Sequence, residues 1–407
     1  MTRRRVGLSA LAVTLLVALH AGAADTPREF LRQHWRRPIA PQGPAPSGYT
    51  PIEASLHPEA CGTCHPTQFA DWRTSLHSRA MGPGVAGQLV EMIESDPGAA
   101  LACQNCHAPL AEQKPLLVGP SRAPSPNSAF DATLRAKGLA CAGCHVRGHE
   151  RFGPPRRAGT VVSTPPRETL PHHGVTRTSA FLKSEFCRGC HQFEPGDFAL
   201  NGKLLENTYN EWKASRFARS GVQCQDCHMP DRRHLWRGIH DPDMVRGGLT
   251  ITLTPGAVPS RAGGMLTATL KVENTGVGHA FPTYVTPRVV MSAELLDASG
   301  TVLAGSRQER VIERNIELDL SRENSDTRLG PGQAATLRYR QRIDRSGLRA
   351  RFSVVVYPDA FYTRFFESLL QAGAGKGSEQ IREALEHTRR SPFTVFVKEL
   401  PLTSTGP

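Results

Sequence analysis

The sequence predicts an α+β chain of two unlike parts: a region of short helices over residues 57–248, then an immunoglobulin-like β-sandwich with a helical insertion over residues 249–407. Three observations predict it. All ten cysteines of the 407 residues lie between positions 61 and 227, in five copies of one C-x-x-C-H pattern at irregular spacing. Beyond Gly248 the chain alternates apolar and polar residues between turn signals, the period of half-buried strands. The length also suits more than one domain.

Residues 1–23 carry Arg3, Arg4 and Arg5, an apolar run from Val6 to Leu19, and Ala21, Gly22 and Ala23, the three regions of a secretory signal peptide. The run is shorter than the roughly 20 residues needed to span a bilayer, so the mature chain is expected to start near Ala24. Residues 24–56 hold Pro27, Pro38, Pro41, Pro44, Pro46 and Pro51 and read as an extended linker. After the first motif, Pro66 suits a first helical turn, with Phe69, Trp72 and Leu76 at helical spacing and His77 beside them. A second helix is expected from about Leu205 to Arg219, and residues 153–171 form a Pro- and Arg-rich loop. Strands are expected at 249–253, 266–272, 289–295, 335–340, 351–356 and 393–400, six or seven in all, with helices near 359–372 and 378–387.

The five motifs are Cys61/Cys64/His65, Cys103/Cys106/His107, Cys141/Cys144/His145, Cys187/Cys190/His191 and Cys224/Cys227/His228. Two thiols three residues apart add to the vinyl groups of a porphyrin, and the histidine that follows supplies an axial iron ligand. Disulfides would not demand histidine after every second cysteine, and zinc would not demand it at one offset five times. The expected cofactor is haem c, five copies covalently attached.

The sixth ligand of each iron separates a carrier from a catalyst, because a haem closed on both faces offers no place to a substrate. Of the remaining histidines, His20 falls in the signal peptide, His34 and His387 read as solvent-facing, and His57 stays open. The distal set is taken as His77, His149, His173, His240 and His279, with His172 the alternative to His173 and His234 the alternative to His240. His149 lies too close to His145 to reach the same iron and is expected to serve a neighbour. His279 follows Gly276 and Gly278, which allow close approach to a flat ring; as a ligand it would join the two domains through iron.

From Cys61 to Met81, where the first motif is followed by Trp72, Ser75, His77, Ala80 and Met81, the chain resembles the multihaem cytochromes related to the tetrahaem cytochrome c-554 of nitrifying bacteria. The resemblance spans about residues 57–191. It implies that His77 binds the iron of the Cys141/Cys144 haem and His149 that of the Cys61/Cys64 haem, and that the Cys103/Cys106 haem is the one to lack a distal ligand unless His172, His173 or His279 closes it. The chain departs from the family in its fifth motif, which runs on into Met229 and Pro230, and in its β-domain, where a Gly-His-x-Phe-Pro-Thr loop surrounds His279.

The formal charge of +12 would by itself suggest nucleic acid or an acidic surface. Removal of the leader takes three arginines, and ten haem propionates against five ferric porphyrins bring the holoprotein to about +4, or about −1 when reduced. The basic residues balance cofactors, so nucleic acid is not an expected partner. The expected function is electron transfer between redox partner proteins in the periplasm or outside the cell, with docking to other cytochromes or to a membrane complex. Catalysis on hydroxylamine, nitrite or sulfite at one open haem is the alternative; the absence of a C-x-x-C-K motif weighs against it.

Overall fold

The computed structural model describes residues 26–118, 123–160, 165–259 and 262–402. The expected signal peptide lies outside them. Among them no helix is long and apolar enough to cross a membrane.

Short helices dominate the first part. Pro66–Thr74 begins on its proline, as the sequence indicated, and buries Trp72, whose Nε1 donates to the Leu139 carbonyl at 2.8 Å. The second expected helix breaks in two, Thr208–Ala214 and Arg216–Arg219, because Ser215 leaves helical geometry and caps the second piece through its hydroxyl. The proline-rich segment is not the extended linker expected of it. Pro27–His34 is a helix with Thr26 as its cap, and it buries Leu31 and His34 beside Phe152, Phe181 and Phe186.

Among the described residues, the second part contains eight strands in two antiparallel sheets: β1 (Leu249–Pro255), β2 (Met265–Asn274), β3 (Arg288–Leu296), β4 (Gln308–Ile316), β5 (Glu323–Asp326), β6 (Ala334–Arg342), β7 (Arg349–Tyr357) and β8 (Phe393–Pro401). One sheet runs β6-β2-β1 and the other β5-β4-β3-β7-β8. Alternate residues of β2 (Leu266, Ala268, Leu270, Val272) and of β7 (Ala350, Phe352, Val354, Val356) enter one shared apolar core. The expected strands are present. β4 and β5 were not foreseen.

Between β7 and β8 the chain forms the helices Ala360–Gln371 and Ser378–Arg390. They pack on Pro83–Ser95 of the first part, where Gly84 meets Phe366 and Gly87 meets Ile381 so closely that a side chain at either glycine would collide. A second contact is polar. Arg314 of β4, 1% exposed, binds Glu323 at 2.8 Å and donates to the carbonyls of Leu200, Lys203 and Leu204. These contacts fix the loop between β2 and β3, which carries His279 and Tyr284, against the cysteine motifs.

Candidate haem cavity

Each motif sits on or beside a short helix: Pro58–Cys64, Pro97–His107, Cys141–His145, Glu185–Arg188 and Cys224–His228. Residues three apart share a helix face, so the two thiols and the next imidazole can address one ring. His65, His107, His145, His191 and His228 all line one continuous cavity of about 2530 Å³, closed on one side by the loop of Gly276 to Thr286. A small-molecule pocket measures about 300–1,000 Å³. The cavity is several times that size, as several porphyrins require.

The ring nitrogens sort the histidines. A metal-binding imidazole offers Nε2 to the metal and fixes its orientation by donating Nδ1–H to an acceptor. His107 donates Nδ1–H to the Ala80 carbonyl (2.6 Å), His145 to Phe152 (2.8 Å) and His228 to Arg237 (2.6 Å). His234 donates likewise to Arg232 (3.1 Å), His279 to Ala280 (2.9 Å) and His172 to Gly174 (2.9 Å). His191 alone of these bonds a side chain through Nδ1, the Tyr284 hydroxyl at 2.7 Å. Burial pushes the His77 imidazole down to about 3 and those of His145, His191 and His279 to about 4. They are neutral at pH 7, the form that binds metal.

Three pairs of these rings face each other across the cavity. Ring centres are 6.3 Å apart for His77 and His191, 6.2 Å for His145 and His234, and 6.4 Å for His228 and His279. With a metal–nitrogen bond of about 2.0 Å and about 1.1 Å from nitrogen to ring centre, two imidazoles on one iron stand about 6.3 Å apart. The pairs have the spacing of two axial ligands. Among the described residues, neither His65 nor His107 forms a ring pair of this spacing.

The motifs also touch one another. The Cys61 thiol reaches Cys141, Cys106 reaches Cys190, and Cys187 reaches Cys224. The Arg37 guanidinium lies between the second and fourth motifs, 3.4 Å from Cys106 Sγ and 3.1 Å from Cys190 Sγ. None of the ten cysteines is in a disulfide, and among the described residues no three or more His, Cys, Asp or Glu side chains converge to hold a bare metal ion. Free thiols in pairs, neutral imidazoles with fixed orientation and an apolar cavity of this size fit covalently bound haem.

Residues 60–126 match the family model described as cytochrome c554 and c-prime. The fold is similar to the crystal structure of a penta-haem cytochrome c552 from Thermochromatium tepidum, with TM-score 0.59 and 20% identity over 86% of this chain and 100% of that one. The match to the family is local, whereas the likeness of fold runs over most of the chain. A C-terminal domain of wzt overlaps 27% of this chain and 60% of its own chain at 13% identity, but a TM-score of 0.17 carries no weight. A search of curated proteins returns no match.

The expected distal residues fall into two groups. His77 and His279 stand in ring pairs, although His77 faces His191 of the fourth motif and not the third-motif His145 implied by the family resemblance. His145 faces His234 instead. His149 is turned away: its Nε2 is held by the Gly43 carbonyl at 2.9 Å and it lies off the cavity, beside a small crevice with His173. His172, not His173, lines the cavity. His240 lines it too, but its Nε2 bonds both carboxylate oxygens of Asp359 at 3.0 and 3.1 Å. His34 is not solvent-facing; it is buried with Nε2 on the Cys144 carbonyl. His387 is exposed at the rim of the same cavity.

Sequence reasoning left out Tyr284, Glu206 and Tyr362. Burial pushes the Glu206 carboxyl up to about 8 and the Tyr284 phenol well above its usual range; Glu206, Tyr284 and Thr208 share hydrogen bonds. Tyr362, raised by burial, lies near Cys103 and Asp359. The only sequence signal for Tyr284 was its place in the conspicuous loop around His279.

Proposed function

We propose that the chain is an exported pentahaem electron carrier, in which residues 57–248 hold five haems and residues 249–407 form an immunoglobulin-like β-sandwich. The observation that carries the reading is the set of three imidazole pairs at 6.2–6.4 Å. Bound haem supplies an iron that accepts and releases one electron. The chain's own residues would hold such groups through paired imidazoles at the third, fourth and fifth motifs, exclude water from them and keep them close together. Motifs one and three, two and four, and four and five adjoin through their thiols, and Cys144 of motif three lies close enough to Cys187 and Cys190 of motif four to act on both, so the five motifs form one connected series along which electrons can pass. The penta-haem neighbour supports the count of five. The strand order, three strands facing five, supports the sandwich assignment.

His77, His234 and His279 are the distal ligands of the fourth, third and fifth motifs in this reading, and His172, on the cavity wall with Nδ1 already committed, serves the first. The setting is periplasmic or extracellular, entered through the signal peptide, and the partners are donor and acceptor proteins. Iron analysis with a coulometric titration tests it. Five irons and five electrons per chain are expected, with a mainly low-spin ferric spectrum; fewer irons, or a mainly high-spin spectrum, contradicts it.

A second reading rests on His107, which has no ring partner among the described residues, while Tyr362 and Glu206 lie near its motif. An open second haem would admit a small nitrogen or sulfur compound. Turnover of hydroxylamine, nitrite or sulfite above that of free haem supports this reading, and its absence removes it.

A further inference from the structure

The second part of the molecule contributes more to the cavity than a distal histidine. Every other Nδ1-anchored imidazole of the cavity donates to a backbone carbonyl, an acceptor that no substitution removes. His191 is different: its Nδ1 lies 2.7 Å from the Tyr284 hydroxyl, on the loop between β2 and β3. With Nε2 reserved for iron, Nδ1 carries the proton and Tyr284 accepts it. The Tyr284 backbone is held at φ 64°, a left-handed conformation costly for a bulky residue. Strain of this kind persists only where the surroundings enforce it. The surroundings here are polar and connected: Thr208 Oγ1 donates to Glu206 Oε1 at 3.0 Å and lies 2.7 Å from Thr283 Oγ1, and the tyrosine hydroxyl is within reach of Glu206 and Thr208.

The place of His191 in the array gives this bond its consequence. The fourth motif touches the second through Cys190 and Cys106 and the fifth through Cys187 and Cys224. It is a junction, so its potential governs which way electrons move.

We infer that Tyr284, supported by Glu206, is a positioning residue by which the β-domain sets the orientation and basicity of the fourth motif's axial imidazole, and so the reduction potential of the junction haem. An acceptor on Nδ1 makes imidazole a stronger donor and favours ferric iron; without it the potential rises. The inference rests on the pentahaem reading above.

The test is a spectroelectrochemical titration of the holoprotein, unmodified and as Tyr284→Phe, with low-temperature electron paramagnetic resonance on both. Tyr284→Phe is expected to raise one midpoint and alter one low-spin signal while the other midpoints and the iron content stay unchanged. Glu206→Gln, which leaves the phenol in place, is expected to displace that same midpoint by less. If Tyr284→Phe loses haem or fails to fold, Glu206→Gln decides: a displacement confined to one haem supports the role, and five unchanged midpoints overturn it. Unchanged midpoints in both variants, in a protein that still holds five low-spin haems, would reject the role of Tyr284 and leave the electron-carrier reading standing. A high-spin unmodified protein would instead reject that reading.

Discussion

The two halves of the molecule are stabilised in different ways. Residues 249–402 close over a single large apolar core drawn from both sheets, whereas the first half has only small buried clusters, such as Leu110, Leu134, Ala140, Ala142 and Val146, around a wide cavity. Burial of apolar area is the main force that holds a domain together. The β-half therefore carries its own core, and in the proposed function porphyrin faces would complete the core of the first half. The difference also bears on the direction of support: the half with the larger core presents His279 and Tyr284 to the other.

Blocking haem attachment should break this comparison open with the largest effect. In a chain with the ten cysteines changed to serine, limited proteolysis is expected to degrade residues 57–248 and leave a resistant fragment near 249–402. Survival of both halves would mean that the first half has a sufficient core of its own.

Next in size is Arg314→Ala. It leaves the buried Glu323 carboxylate with Lys203 as its remaining ionic partner and strips three carbonyls of their donor at the seam between the halves; since loss of one member of a fully buried ion pair costs about 3–5 kcal/mol, a loss of up to that size is expected. Chemical denaturation followed by near-ultraviolet dichroism should show that loss, and a change below about 1 kcal/mol would show the seam to be unimportant.

The smallest effect concerns pH. Burial pushes the Asp326 and Glu323 carboxyls up, but Arg328 and Lys203 outweigh burial at Asp326, as Lys203 and Arg314 do at Glu323, so both end below the usual carboxylate range. Unfolded carboxylates titrate near 4. The stabilisation is therefore complete above about pH 4 and is lost as pH falls further towards the folded values. The thermal midpoint should drop between pH 6 and pH 3.5, and the drop should shrink in Lys203→Met, which removes a shared partner at 2.6 and 2.7 Å. An equal drop in the variant would place the acid sensitivity elsewhere.

What was legible in the sequence follows the same division. The motifs are local, with both thiols and the histidine within five residues, and β2 and β7 repeat apolar residues at every second position, so both could be read directly. β4 could not: Gln308, Glu309, Arg310, Glu313 and Arg314 mask the pattern, and the strand is held by cross-strand ion pairs such as Arg288 with Glu313 at 2.7 Å. The helix of residues 27–34 was hidden by the prolines around it. The pairing of the other histidines depended on long-range contacts. Nothing near His149 or His240 in sequence indicates that Gly43 or Asp359 occupies its Nε2, and the choice of His234 as the partner of His145 depends on a chain reversal 89 residues away. Neighbouring histidines of one composition thus take different roles, as His172 and His173 do across a single peptide bond.

The ring pairs are tested most directly by low-temperature electron paramagnetic resonance of the holoprotein with His77, His234 or His279 changed to alanine, and with His149 or His240 changed as controls. Each of the first three should convert one haem from low to high spin at constant iron content, and the two controls should leave the spectrum unchanged. Low-spin spectra in the first three variants, or a high-spin haem in either control, would contradict the pairing.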